Sequence, residues 1–359
     1  MIPGLIEKGL FSSRESRSRG RPPAENARAD ATHRRPRRMA FRPGVRACQA
    51  PGCRRFSPPG APGASFQMND KRLVFLRRFG STVVLWTIAL LTIWNGYEPG
   101  FFVLLTALSL VGLWEYYTML EHKRLPNFKI LGMLAGGVMS VGSYYYVSRV
   151  GPSKAQDFEV AALLCCVLVV FARQMFQKTR DLSPLETMAY TLFGIFYVPW
   201  MFLFVTKIVY LVPREAGHIT GHFYVLWLLV VTKFSDMGAY VTGSLIGRHP
   251  MVPHISPKKT WEGFVGALVF STGGACGLLA LIPEKLKYLH QTDAAILGLG
   301  LGFAAVIGDL AESIVKRSAE VKDSGQLLPG IGGALDLIDS ILFTAPLMFF
   351  YLRFAVGLT

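Results

Sequence analysis

What this chain has little of narrows the field. Its five cysteines, Cys48, Cys53, Cys165, Cys166 and Cys276, include no pair at metal-ligand spacing that a second pair matches. Neither a disulfide framework nor a zinc site is expected. The chain has no G-x-x-x-x-G-K-[ST] run, which sets aside a P-loop nucleotide site. Gly298, Gly300 and Gly302 imitate the start of a dinucleotide fingerprint, but they lie in an apolar stretch with no strand before them and read as helix-packing positions. Residues 1–67 contain no apolar run long enough to act as a signal peptide or to insert into a bilayer. Acids are scarce there too, with four against fourteen Lys and Arg, so ten of the fifteen net positive charges of the chain fall in this tail. A solvated, disordered basic arm is the reading, with no nucleic-acid partner expected. Met68-Asn-Asp-Lys-Arg leads straight into apolar sequence and reads as an alternative translation start.

From residue 68 to 359 the chain is of another kind. About half of all 359 residues are apolar, mean hydropathy is +0.36, and the apolar residues come in long blocks. A helix needs about 20 apolar residues to cross a bilayer, and backbone hydrogen bonding leaves few other structures that can do so. The expected fold is all-α, a polytopic integral membrane protein with about nine spans near 79–95, 99–120, 129–148, 158–176, 187–211, 223–245, 261–282, 293–315 and 335–355. Pro199 is placed to kink or divide the fifth, so the count runs from eight to ten. Lys and Arg gather before span 1 and in loops 2–3, 4–5, 6–7 and 8–9, which the positive-inside rule puts on the cytoplasmic side of the cell's inner membrane.

The remaining polar residues are costly where they stand. A carboxylate at a helix centre costs roughly 2.5–3.5 kcal/mol on insertion scales, so acids in the late spans are expected to work for their place. In span 6, Asp236, Tyr240 and Gly243 follow i, i+4, i+7 and share one helix face. Loop 6–7 carries Ser256-Pro-Lys258-Lys259-Thr260, whose adjacent lysines and following helix start make a cradle for phosphate. A positive-inside anchor would account for the lysines but not for the hydroxyls around them. In span 8, Asp309, Glu312, Ser313, Lys316 and Arg317 form one stripe, and Asp336 and Asp339 open span 9 after a Gly-rich loop. Asp309, Asp336 and Asp339 converge as an all-oxygen set suited to Mg²⁺, with a salt-bridge network as the competing reading. His249 and His254 have no partner at metal spacing and are read as loop residues.

The run from Ser313 to Asp339 resembles the signature of the phosphatidate cytidylyltransferase family, S-x-x-K-R-x4-K-D-x-[GSA]-x3-P-x-H-G-G-x-x-D-R-x-D. Ser313, Lys316, Arg317, Lys322, Asp323, Gly325, Gly332, Gly333, Asp336 and Asp339 match in register. Ile331 stands where the pattern has His and Leu337 where it has Arg. The resemblance implies the reaction of CTP with phosphatidate to give CDP-diacylglycerol and diphosphate. It makes CTP, phosphatidate and membrane lipid the partners and Mg²⁺ the cofactor. Lys258, Lys259, Asp309, Asp336 and Asp339 become the catalytic set. Ser256, Thr260, Asp236, Tyr240, Ser313, Lys316, Arg317, Lys322 and Asp323 become substrate contacts. A second cation and a homodimer are further expectations that no motif specifies. A CTP-dependent lipid kinase of the polyprenol type and a cation-coupled transporter use similar residues and stand as alternatives.

Overall fold

The computed structural model describes residues 98–177, 183–213, 220–325 and 332–358, together with 87, 91 and 92. The expected basic tail, the Met68 start, most of the first expected span and Ile331 lie outside the described residues. Eight helices among the described residues are long and apolar enough to cross a membrane. These are α1 (Glu98–His122), α2 (Lys129–Arg149), α3 (Pro152–Met175), a composite segment of α4 (Pro184–Ile195) and α5 (Met201–Leu211), α6 (Gly221–Ile246), α7 (Trp261–Leu281), α8 (Gln291–Ser318) and α9 (Ala334–Phe354). Each corresponds to one expected span from the second to the ninth.

The boundaries follow local chemistry. Ser183 caps α4 by accepting from the Glu186 backbone N–H at 3.4 Å, with Pro184 in the first turn where its missing N–H costs nothing. At Pro199 the helix cannot keep its α-type ladder, and a five-residue π turn, Phe196–Trp200, joins α4 to α5 within one 28-residue span. The proline therefore neither ends the span nor divides it. Polar turns lengthen several helices beyond their apolar windows. α8 runs on to Ser318, so Lys316 and Arg317 are helical.

Loop 6–7 has regular structure of its own. It folds into an antiparallel hairpin of β1 (Pro250–Val252) and β2 (Ser256–Thr260). The pairs are Pro250 with Thr260 and Val252 with Ser256, so two steps along β1 face four along β2 and the surplus bulges around Lys258.

The core lies where α1, α5, α6 and α9 meet, around Leu113, Tyr116, Trp227, Leu228, Ile338 and Leu342, all essentially without solvent exposure. Trp227 Nε1 donates to the Ala275 carbonyl at 3.1 Å, which joins α6 to α7. Ile130, Leu134 and Val138 on α2 and Leu164, Leu168 and Met175 on α3 are exposed, as a lipid-facing surface requires. Between these outer helices and the core sits one buried ion pair. Lys207 Nζ on α5 meets Glu159 Oε2 on α3 at 2.7 Å, Ser143 donates to the other Glu159 oxygen, and the ammonium lies 3.5 Å from the Phe204 ring centroid.

Described basic residues at several of the connections between helices gather at one end of the bundle. Lys123 after α1 contacts Glu320 after α8 at 3.0 Å, Arg173 near the end of α3 stacks over Phe128 before α2, and Arg317 reaches the carbonyl of Ile255 at the hairpin tip.

Candidate active site

That same end contains a cavity of about 560 Å³ framed by α6, the hairpin, α7, α8 and α9. Each wall is built by a recognisable local device. On α6, the i, i+4 spacing aims Asp236 and Tyr240 into the cavity, and Lys233, one turn earlier, pairs with Asp236 at 3.1 Å. The bulge in β2 breaks strand alternation, so the adjacent residues Lys258 and Lys259 both line the cavity beside Ser256 and Thr260. Thr260 also caps α7, accepting from the Gly263 backbone N–H at 3.1 Å, which leaves the positive end of that helix dipole at the site. Glu262 fixes the hairpin root by accepting from the backbone N–H groups of Arg248 and His249 and from His249 Nδ1 at 2.6 Å. His249, read from sequence as a plain loop residue, is therefore part of the cradle's support.

The acidic wall comes from α8 and α9. These helices touch at Gly308, where a Cβ would sit 2.7 Å from the Asp339 carbonyl oxygen. That approach brings one oxygen each of Asp309, Glu312 and Asp339 within 4.8 Å of one another. Asp336, expected as the third member of this trio, is occupied elsewhere. Its Oδ2 accepts from the Gly333 backbone N–H at 2.8 Å and caps its own helix, and its Oδ1 meets Lys316 Nζ at 2.8 Å. The chain reaches that cap through Gly332 at φ +115°, a conformation that L side chains rarely adopt. Lys316 also contacts Glu312 Oε2 at 2.6 Å, while Glu312 Oε1 is buried with no hydrogen-bond partner. Across the cavity, Lys259 Nζ lies 2.8 Å from Asp309 Oδ2.

Six carboxylates (Asp236, Asp309, Glu312, Asp323, Asp336, Asp339) face three lysines (Lys258, Lys259, Lys316), so the lining has surplus negative charge that a cation would neutralise. Three converging carboxylates with an orphaned buried oxygen are donors of the kind that a hard divalent cation takes. The lysine-bearing bulge opposite them suits a polyphosphate. Of the substrate contacts expected from sequence, Ser313, Arg317 and Lys322 are not among the lining residues. Arg317 instead holds the hairpin tip, and Lys322 is exposed. Sequence reasoning also passed over Glu115 on α1. This buried acid accepts from the Leu335 backbone N–H at 2.9 Å and so holds the start of α9. Its signal was present, an acid inside an apolar span.

A membrane-spanning helical bundle with a polar cavity that sets lysines opposite clustered acids defines an integral membrane protein with a charged internal site. Residues 76–355 match the family model described as Cytidylyltransferase family. The chain is 42% identical over 224 residues to the phosphatidate cytidylyltransferase of Mycobacterium bovis, covering 60% of this chain and 68% of the relative. A Mycobacterium tuberculosis protein of the same name is matched at the same identity over 64% of its length. The phosphatidate cytidylyltransferase of Bacillus subtilis is 32% identical over 255 residues, which is 70% of this chain and 88% of the relative. The chain spans about two thirds of the length of these two mycobacterial relatives. It belongs to the cytidylyltransferase family and is a membrane-embedded nucleotidyltransferase.

Proposed function

We propose that this chain catalyses CTP + phosphatidate → CDP-diacylglycerol + diphosphate, with its site open to the cytoplasmic face of the inner membrane. The observation that carries the reading is the confinement of Lys258, Lys259 and the Asp309, Glu312 and Asp339 carboxylates in one cavity. In the reaction a phosphate oxygen of phosphatidate bonds to the α-phosphorus of CTP, and the bond to the bridging oxygen of the β-phosphate breaks. Diphosphate leaves with that electron pair. The nucleophile is already ionised near neutral pH, so no general base is required.

The barrier is repulsion between anions and the need for in-line placement. Lys258 and Lys259 offset the charge on the triphosphate and the departing diphosphate, and Ser256 and Thr260 orient it by hydrogen bonding. Asp309, Glu312 and Asp339 would hold Mg²⁺, which supplies Lewis-acid charge to phosphate oxygens when bound. Lys316 keeps Glu312 and Asp336 in place between the two acidic helices.

Turnover with CTP labelled at the α- or γ-phosphate tests the proposal. The α label is expected in the lipid product and the γ label in diphosphate. A γ label in the lipid with release of CDP would overturn it in favour of a CTP-dependent lipid kinase.

A further inference from the structure

Back to back with the polar cavity lies a narrow apolar recess of about 80 Å³. Leu105 and Leu108 of α1, Val205 of α5, Leu229 of α6, and Leu337 and Ile341 of α9 line it with one charged residue, Lys233. Leu105, Val205 and Ile341 belong to the buried core, so the recess reaches inward between helices. Helical periodicity makes two helices a shared partition. α9 presents Asp336 and Asp339 to the cavity and Leu337 and Ile341 to the recess. α6 presents Asp236 and Tyr240 to the cavity and Leu229 and Lys233 to the recess. Leu337, where the signature quoted above has arginine, keeps its wall apolar.

Lys233 stands at the junction. Its ammonium carries three donors and meets Asp236 with one of them at 3.1 Å, which leaves donors for an anion. Along α6 the recess runs from Val225 to Lys233, about 12 Å at the helical rise. An apolar slot of that length ending in a cation beside a phosphate-handling cavity complements one kind of ligand, an anionic lipid with its chain in the slot. We propose that this recess holds an acyl chain of phosphatidate and that Lys233 pairs with its headgroup phosphate, presenting that phosphate to the cavity. The inference rests on the reaction proposed above and adds where the lipid lies.

The test compares dihexanoyl with dioleoyl phosphatidate, using purified full-length protein in detergent. Leu105→Trp and Leu229→Trp fill the recess. Each is expected to lower kcat/KM for the dioleoyl lipid by about tenfold relative to the dihexanoyl one, as a filled apolar subsite discriminates by chain. Lys233→Met is expected to raise KM for both lipids and leave KM for CTP unchanged. A phosphatidate carrying a diazirine on its chain should label peptides of α1 and α6 in the wild-type protein, which needs no variant to fold. An unchanged chain-length ratio in folded Trp variants, or labelling confined to α2 and α3, would overturn the recess as the lipid site while leaving the reaction standing. A wild-type protein that turns over neither lipid would instead remove the reaction and this inference with it.

Discussion

Lys259 on the hairpin and Asp309 on α8 face each other at 2.8 Å across the cavity, one from the wall suited to phosphate and the other from the acidic wall. The contact crosses the space that substrate would enter, so a triphosphate and its cation would compete for both partners. Lys259→Gln is expected to lower kcat/KM for CTP by about 100-fold, the scale of a lost charge stabiliser, while Lys259→Arg retains part of it. Steady-state kinetics at saturating phosphatidate check this. Equal activity in Lys259→Gln would exclude the lysine from the reaction.

Glu312 and Asp336 offer a sharper discrimination, because only Glu312 stands with Asp309 and Asp339. Glu312→Gln is expected to raise the Mg²⁺ concentration for half-maximal activity by about tenfold or more. Asp336→Asn should leave that concentration nearly unchanged and cost about 1 kcal/mol of stability through the weakened cap at Gly333. Metal titrations and thermal melts of both variants measure the difference. The reverse pattern would restore Asp336 to the metal set.

Glu115→Ala removes the acceptor of the Leu335 backbone N–H in a buried setting, at an expected cost of about 1–3 kcal/mol. The loss should extend to turnover, because α9 carries Asp339 and begins at that bond. Glu115→Gln keeps an acceptor oxygen and is expected to recover most of both. Melting temperature and kcat, measured together, check the prediction. An alanine variant with native values of each would refute it.

Lys207 and Glu159 are both essentially without solvent exposure, and neither lines the polar cavity. Lys207→Met alone strands a buried carboxylate and should cost about 3–5 kcal/mol, while the double variant with Glu159→Met is expected to recover much of it. A double-mutant cycle by detergent-phase unfolding measures the coupling. Additive losses would show that the two charges do not act as a pair.

Eight membrane helices were legible because apolar length is a strong and local signal. Asp236, Asp309 and Asp339 stood out because acids in such helices are expensive, and Lys258 and Lys259 because adjacent cations beside a helix start are conspicuous; all five line one cavity. What escaped depends on pairing between distant segments. The hairpin at Pro250–Thr260 has strands too short and too polar to declare themselves. Its bulge, which lets two neighbouring lysines share a cavity, follows only from the register with β1. That Glu312 rather than Asp336 stands beside Asp309 and Asp339 follows from the capping bond of Asp336 to the Gly333 backbone N–H, which i, i+3 spacing does not reveal. Arg317, one residue beyond Lys316, turned outward to Ile255.

The hydrogen bond between Glu115 and Leu335 joins residues 220 positions apart. Synthesis runs from the N-terminus, so α1 is made long before the segment that satisfies its acid. Until α9 arrives, the bundle contains a carboxyl group without its native partner, a penalty that packing of α9 relieves. The acidic wall is completed in the same event, since Asp339 travels on the arriving helix. On the proposed function, biogenesis ties catalytic competence to the last described helix, and a chain truncated before α9 would lack Asp339 from the acidic wall and leave Glu115 without its partner.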